Sequence, residues 1–424
     1  MSAQIVFLTA FLGIVAGVHP VNLEVSGPIK TVRMMLGERE VAVLTQPPWR
    51  ATIEMGRTLV PRELTAIGFD AQGKEIARTT QILNLPRPVA EFDILLEQNA
   101  GQAPAGLTLR WSHLVGSRPT KAKVALDGKP LALDRKLHAR LPKLDLETPH
   151  VISAELRFDD GFVTRRELVI ESVRSDTVGT QLTPIMVRET AAQHPASWDG
   201  CLVGPSGRAV RTAAMETPRA VVIVVRDPNH DFRLPRGELP SLDKGTVLRM
   251  LWPVGRRYDA DPKNPASFLF PPSSDVNVEK TSFPRFLSAL GPVLISNEPL
   301  QLADAVAAAG VQAATGVQRR AVVVILTRKP DESMNAPREV RRYLASIGVP
   351  LFVWSPTAPP PPRAQAWGEF DDVSTTEKLG QAIERLRHTL AEQRIAWVDV
   401  DPLTALRLKA NESCGIETSA RVEP

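Results

Sequence analysis

Between Val21 and about Pro88, apolar and polar positions alternate over short runs, "TVRMML", "EVAVL", "RATIEM" and "ELTAIGFD", broken by turn residues such as Ala71-Gln72-Gly73. Alternation at period two puts every second side chain on one face of a pleated strand, so the pattern predicts a small antiparallel sandwich over residues 19–88. The texture resumes from Phe92 to about Val173 in "FDILLE", "LTLRWSHL", "KAKVAL" and "VISAELRF". Asp127-Gly128 and Asp160-Gly161 mark hairpin turns there, because a two-residue turn needs positive φ, which glycine and Asp tolerate. A second sandwich over 90–173 follows, with Arg165, Arg166 and Glu167 beside its last strand placed to charge an open edge. Residues 174–217 lose the period and read as a connector with a few strands.

After Pro218 the pattern changes. "RAVVIVVRD", "RAVVVILT" and "VPLFVW" are continuous apolar runs. A strand covered on both faces needs no polar alternation, the mark of a parallel sheet between helices. Helical spacing is read at 243–251, 282–290, 300–314, Pro337–Ser346 and 375–392, the last with Leu379, Ile383, Leu386 and Leu390 on one face. The run "RIAWVDV" is expected as a further strand of this domain. Strands alternating with helices over 218–400 predict a doubly wound, Rossmann-like α/β domain, followed by a tail over 401–424. The expected fold class is multi-domain: N-terminal all-β sandwiches, then α/β.

Length agrees, since 424 residues exceed what one hydrophobic core serves. The net charge is only +4, and cations are interleaved with acids, as in "VTRRELVIESVRSD". A nucleic-acid footprint needs cations clustered on one face, so nucleic acid is not an expected partner. Residues 5–18 carry no charge and end among small residues, Val15-Ala16-Gly17. That run is short for a bilayer span, which takes ~20 residues, and reads as a leader peptide over 1–18 on an exported, periplasmic or extracellular protein; an uncleaved anchor and a buried first strand are the alternatives. The two cysteines, Cys201 and Cys414, lack Cys-x-x-Cys spacing, which argues against zinc; in an oxidising compartment they form either one disulfide or two buried thiols.

Ligands of an open α/β sheet bind at the carboxyl ends of its strands. The first parallel strand ends in "RDPNHDF", where Asp227, Asn229 and Asp231 alternate as oxygen ligands of a hard divalent cation would. Here the sequence resembles the von Willebrand factor A family, in the variant found in acidobacterial exported proteins, whose first strand ends in Asp-x-Ser-x-Ser. Asp227 matches the first position, and Asn229 and Asp231 replace the serines. Glu298 in "ISNEPLQLADAVAAAG" stands where the resemblance implies threonine. Thr327-Arg328-Lys329 replaces the family's Thr-Asp-Gly, so a guanidinium stands at the expected metal-binding aspartate and is placed to pair with Asp227 or Asp231. The resemblance spans roughly Pro218 to Asp399 and implies a degenerate site with no metal. The alternative is magnesium or calcium held with Asp331 as an additional ligand. "LTQPPWRATIEMGRTLVPRELTAIGFDAQGKEI" is similar to the immunoglobulin-like module preceding this domain in the same exported proteins.

Enzyme signatures are missing. Ser206 in "GPSGR" lacks the glycine two residues on that a nucleophile elbow requires, no phosphate-cradling glycine loop occurs, and the seven histidines are scattered. The expected function is non-enzymatic binding of a protein partner, or scaffolding, with no catalytic residue and no cofactor. A metal-dependent adhesion protein and an envelope-associated hydrolase are the competing readings.

Overall fold

The computed structural model describes the chain apart from residues 1–2, 12, 98–102, 114–115, 146–147, 160–161, 171–177, 191–194, 196, 228–236, 255–269, 271–272, 289–299 and 419–424. The first sandwich pairs a four-stranded sheet, in order Arg39–Leu44, Thr31–Leu36, Arg62–Phe69, Glu75–Leu83, with a three-stranded one of Gln4–Phe7, Val18–Ser26 and Arg50–Glu54. The alternation seen in the sequence is the cause: Val32, Met34 and Leu36 point inward and are buried, whereas Arg33 between them is exposed. Each such buried aliphatic side chain contributes about 1.5–3 kcal/mol relative to leaving it in water. Residues read as a leader supply a strand of this sandwich, Gln4–Phe7 running antiparallel to Leu23–Ser26, with Ile5 and Val15 buried in its core. An uncharged run that suits a leader also suits a strand with one buried face.

The second sandwich has a five-stranded and a three-stranded sheet around Phe92, Leu107, Ile152, Leu156 and Phe158. The Asp127-Gly128 turn has φ of 48° and 76°; Asp160-Gly161 lies outside the described residues. Val163–Ile170 is not an edge strand, since Val178–Gln181 pairs along it. Arg165 accordingly serves otherwise than expected. Its guanidinium bonds Glu155 and, beyond the sandwich, Glu216 at 2.6 Å.

The hairpin also carries a titratable pair. Asp127 accepts from the Val151 N–H at 2.8 Å and pairs with His150 Nδ1 at 2.7 Å, while His150 Nε2 reaches the Asp145 carbonyl at 2.9 Å. The Val151 and His150 bonds hold the Asp127 carboxyl below its ordinary range, and Asp127 raises His150. The lowered carboxyl stabilises the fold above its unfolded pKa, and the raised imidazole below its own, so the contribution is fullest between about pH 4 and 6.5. In urea unfolding, the wild type is expected to exceed His150→Ala by under about 1 kcal/mol in that window, and the gap should shrink as the pH rises past 7. A gap constant from pH 5 to 8 would show the pair to be inert.

A third β unit was not foreseen. Thr183–Glu189 and Thr212–Glu216, from the expected connector, flank Gln393–Val398 antiparallel, and Ile416–Thr418 from the tail completes the sheet. A smaller sheet of Ala209–Val210, Leu202–Val203 and Lys409–Ala410 packs near it around Val187, Leu202, Ala396 and Val398. The strand within "RIAWVDV" thus belongs to this unit and not to the α/β sheet. Both of its faces are covered, Ala396 and Val398 on one side and Ile395 and Trp397 on the other, so its unbroken apolar run mimics a parallel strand. Cys201 and Cys414 form a disulfide across the unit, closing a sequence separation of 213.

The α/β layer is inserted between two strands of that unit. Its strands are β1 (Ala220–Val225), β2 (Val247–Leu251), β3 (Val276–Asn277), β4 (Arg319–Ile325), β5 (Leu351–Ser355) and β6 (Asp371–Asp372), in order β3-β2-β1-β4-β5-β6, all parallel except the edge strand β3. The helix expected at 243–251 is in fact β2; Gly245 at φ 81° leads into a short apolar run whose length alone decides between strand and helix. Helices α2 (Leu302–Ala314) and α3 (Pro337–Ser346) cover one face with Val221, Ile223 and Val225, and α1 (Phe283–Leu287) and α4 (Thr376–Glu392) cover the other with Val222 and Val224. Gly310 lets α2 approach α3, since a Cβ there would lie 2.6 Å from Leu344 Cδ1.

These units interlock. Leu59 of the first sandwich is fully buried in the α/β core beside α2 and α3. Tyr343 Oη donates to the Asn84 carbonyl at 3.0 Å, and the Asn84 amide clasps Val15 N–H and C=O at 2.6 and 3.0 Å. Burial pushes the Tyr343 phenol well above its ordinary pKa, so it remains a donor at any physiological pH.

Candidate functional site

β1 and β4 lie side by side at the centre of the sheet, where the strand order reverses direction. Chains leaving their carboxyl ends diverge to opposite sides and open a crevice, which makes this the expected ligand position of a doubly wound sheet. Asp227, two residues beyond the end of β1, is 1% exposed there. Its carboxylate is paired with Lys329 Nζ, which leaves the end of β4 and lies 3.1 Å from Oδ2 and 3.3 Å from Oδ1.

This corrects the identity of the cation. Arg328, expected to neutralise Asp227, is exposed, and its neighbour Lys329 makes the pair. The physical reason is the period of extended chain: one residue further along the strand end turns the side chain from solvent back toward the adjacent strand. The Lys329 N–H also bonds Thr327 Oγ1 at 3.3 Å, which folds the chain back at that point. Counting by twos from β4 was the signal available in the sequence.

Asp331 performs a different task from ligation. Its Oδ1 accepts the Leu302 N–H at 2.8 Å and its Oδ2 the Ala303 N–H at 3.3 Å, while Ser333 Oγ donates to Oδ1 at 2.6 Å. A helix leaves its first N–H groups unpaired and carries partial positive charge there, and Gln301 at the N-cap of α2 offers no side-chain bond. Asp331 thus caps α2 from a distant loop, and the Glu332 N–H bonds the Leu300 carbonyl at 2.7 Å to bolt the two segments together. Asp304, within α2, returns the interaction by accepting from the Met334 and Asn335 N–H groups at 2.8 and 3.0 Å.

Two further described acids of this edge are paired too. Asp371 meets Arg385 at 2.7 Å, and Asp372 meets Lys378 at 2.5 Å. The Lys378 hydrogen bond, with those from Ser374, holds the Asp372 carboxyl down at about 2. A cavity of about 350 Å³ beside the crevice is lined by Lys329, Asp331, Asn335, Arg363 and Trp367.

The arrangement does not fit a divalent cation. Such a cation takes six or more oxygen ligands at short range, and both described candidates have committed theirs, Asp227 to an ammonium and Asp331 to backbone N–H groups. Asn229, Asp231 and Glu298 lie outside the described residues. Among the described residues no three His, Cys, Asp or Glu side chains group at metal-holding distance. Ser206 sits in an exposed turn, closed by the Gly207 N–H bonding the Gly204 carbonyl at 2.9 Å, and no described base approaches it within hydrogen-bond reach. No described helix is long and apolar enough to cross a membrane.

No family model matches the chain, and no curated protein matches it. Among solved structures it is similar to the fibronectin(III)-like modules of Clostridium thermocellum CbhA, at 15% identity over 41% of this chain and 96% of that one, with a TM-score of 0.17. It is similar also to the central fibronectin-III array of RIM-binding protein, at 9% identity over 47% and 82%, TM-score 0.20, and to a β-glycosidase from Bacteroides vulgatus, at 11% identity over 40% and 25%, TM-score 0.25. The sandwich architecture of the N-terminal part stands on this chain's own strand pairing.

Proposed function

We propose that the chain is an exported, non-enzymatic binding or scaffold protein whose α/β layer is von Willebrand A-like and engages a protein partner without a metal. The observation that carries this reading is the Lys329 ammonium on the buried Asp227 carboxylate at the centre of the sheet's carboxyl edge. A covalently tethered cation there does the neutralising work that a bound metal would do, and leaves a polar surface that can meet a partner without first recruiting an ion. The sheet order and the alternation of helices over its two faces support the von Willebrand A-like assignment. The disulfide supports export, because such bonds persist in oxidising compartments. Interlocked units suit a scaffold, since a rigid multi-module body holds its surfaces in fixed relation.

The test is thermal unfolding of the full chain in chelator and then in millimolar magnesium, manganese or calcium. The expected midpoint is the same in all four conditions for the wild type. Lys329→Met, which leaves a buried carboxylate without its cation, is expected to lose about 2 kcal/mol, less than a fully buried pair because the lysine is partly exposed. A site filled at ~1,000 times its dissociation constant would add about 4 kcal/mol, a rise of roughly 4 °C or more when the full chain unfolds as one unit. Such a rise in the wild type would overturn the metal-free reading.

A further inference from the structure

Three of the units and the segment that links the sandwiches meet around a second cavity, of about 120 Å³, away from the sheet's carboxyl edge. Its walls are mostly apolar: Pro86 between the sandwiches, Phe162 of the second sandwich, Leu182 and Pro184 of the third unit, and Val317 and Ile347 of the α/β layer. One wall residue differs in kind. Arg320, on β4, is 6% exposed. Its Nε donates to the Gly348 carbonyl at 3.2 Å and its Nη1 to the Ala314 carbonyl at 3.1 Å, so two of its nitrogens serve carbonyls at and just past the ends of α2 and α3. Nη2 has no hydrogen-bond partner among the described residues, and no carboxylate pairs with the guanidinium.

A buried guanidinium short of a counter-ion is costly, and burial alone pushes its pKa down to about 10. It remains charged at neutral pH. The cheapest way to satisfy it is an anion presented from the cavity, and the flat fork of a guanidinium matches a carboxylate in particular. The rest of the cavity asks for an apolar body. A cavity of roughly 150 Å³ holds the six carbons of one benzene ring, so the smaller space here suits about five or six non-hydrogen atoms.

We infer that the junction cavity is a binding site for a small monocarboxylate with an apolar body, its carboxylate on Arg320 Nη2 and its apolar end against Phe162, Leu182 and Ile347. Since the second sandwich, the third unit and the α/β layer all line the cavity, such a ligand would fasten their relative positions, which gives a scaffold a means of being stiffened by a small molecule.

The experiment is isothermal titration of the full chain with sodium propionate and sodium butyrate, against 1-propanol and 1-butanol as neutral analogues of similar shape. The carboxylates are expected to bind with dissociation constants below about 1 mM, given the binding energy available per atom of so small a ligand, and at least tenfold more tightly than the alcohols. Arg320→Met should abolish that preference. Because Arg320 also holds helix ends, a second variant keeps it intact and fills the cavity from the opposite wall: Val163→Phe, on a strand where an aromatic fits the backbone, should abolish carboxylate binding while leaving the circular dichroism unchanged. Equal affinity for carboxylates and alcohols, carboxylate binding that survives Val163→Phe, or no binding of either carboxylate at 10 mM would each overturn the proposal.

Discussion

Replacing Cys201 and Cys414 together by serine is expected to produce the largest loss of stability of any conservative change in the chain. The bond closes a separation of 213 residues, and the loop-entropy argument gives about 5 kcal/mol for a loop of that size. The α/β layer lies inside the loop, which makes the order of unfolding matter. If that layer is still folded when the third β unit opens, the flexible path shrinks to the roughly 40 residues that flank it, and the entropic gain is about 4 kcal/mol. Either route lowers the calorimetric midpoint of the third unit by at least about 10 °C. The bond also holds the segment carrying Leu202 against Ala410, whose strands pair directly. Reduction of the wild type should reproduce the double variant, because serine changes little else at two small positions. A midpoint that moves by under 2 °C on both reduction and substitution would show that the hydrophobic contacts of Val187, Ala396 and Val398 suffice to hold the unit without the bond.

The interlocking seen around this bond explains which features the sequence disclosed. Period-two runs such as "TVRMML" declared both sandwiches, because one face of each strand is wet and alternation follows directly from that. The buried runs at β1, β4 and β5 declared the parallel sheet, because helices on both faces remove the need for polar positions. Gln393–Val398 was misassigned by the same logic: antiparallel partners, with apolar side chains packed against both faces, give it an identical composition. No local pattern shows that strands before and after a long insertion pair with each other. The third β unit is therefore a product of contacts 180 or more residues apart, such as Thr212 with Val398.

The candidate site was legible to a similar depth. Asp227 at the end of the first buried strand and a cation after the second were both readable, since each follows from a strand boundary and the crevice rule. Which of two adjacent cations turned inward depended on one residue of extended chain. The helix-capping duty of Asp331 depended on a loop meeting the start of α2, which sequence separation conceals. Arg320 gives no signal at all: an arginine opening an apolar strand reads as an edge residue, and only the packing of three units around it shows that its charge is enclosed.

Trp397 provides the sharpest test of that packing. It is 1% exposed, donates from Nε1 to Glu216 at 3.1 Å, and lies under the Arg165 guanidinium at 4.9 Å from its ring. Arg165 belongs to the second sandwich and binds Glu216 as well, so ring, guanidinium and carboxylate form one three-way contact between units. Trp397→Ala is expected to cost about 3–5 kcal/mol through lost burial and the cavity left behind. Trp397→Phe should cost less, keeping most of the apolar area while removing one of the donors to Glu216, a loss of about 1 kcal/mol beyond the change in size. The informative measurement is the double-mutant cycle of Arg165→Met with Trp397→Ala in denaturant unfolding. A guanidinium stacked on an enclosed ring is worth about 1–2 kcal/mol, so the two losses should fall short of adding by that amount. Strict additivity would mean that the second sandwich and the third β unit do not share this contact in solution. The junction between those two units would then rest on contacts such as the Glu167–Arg211 ion pair.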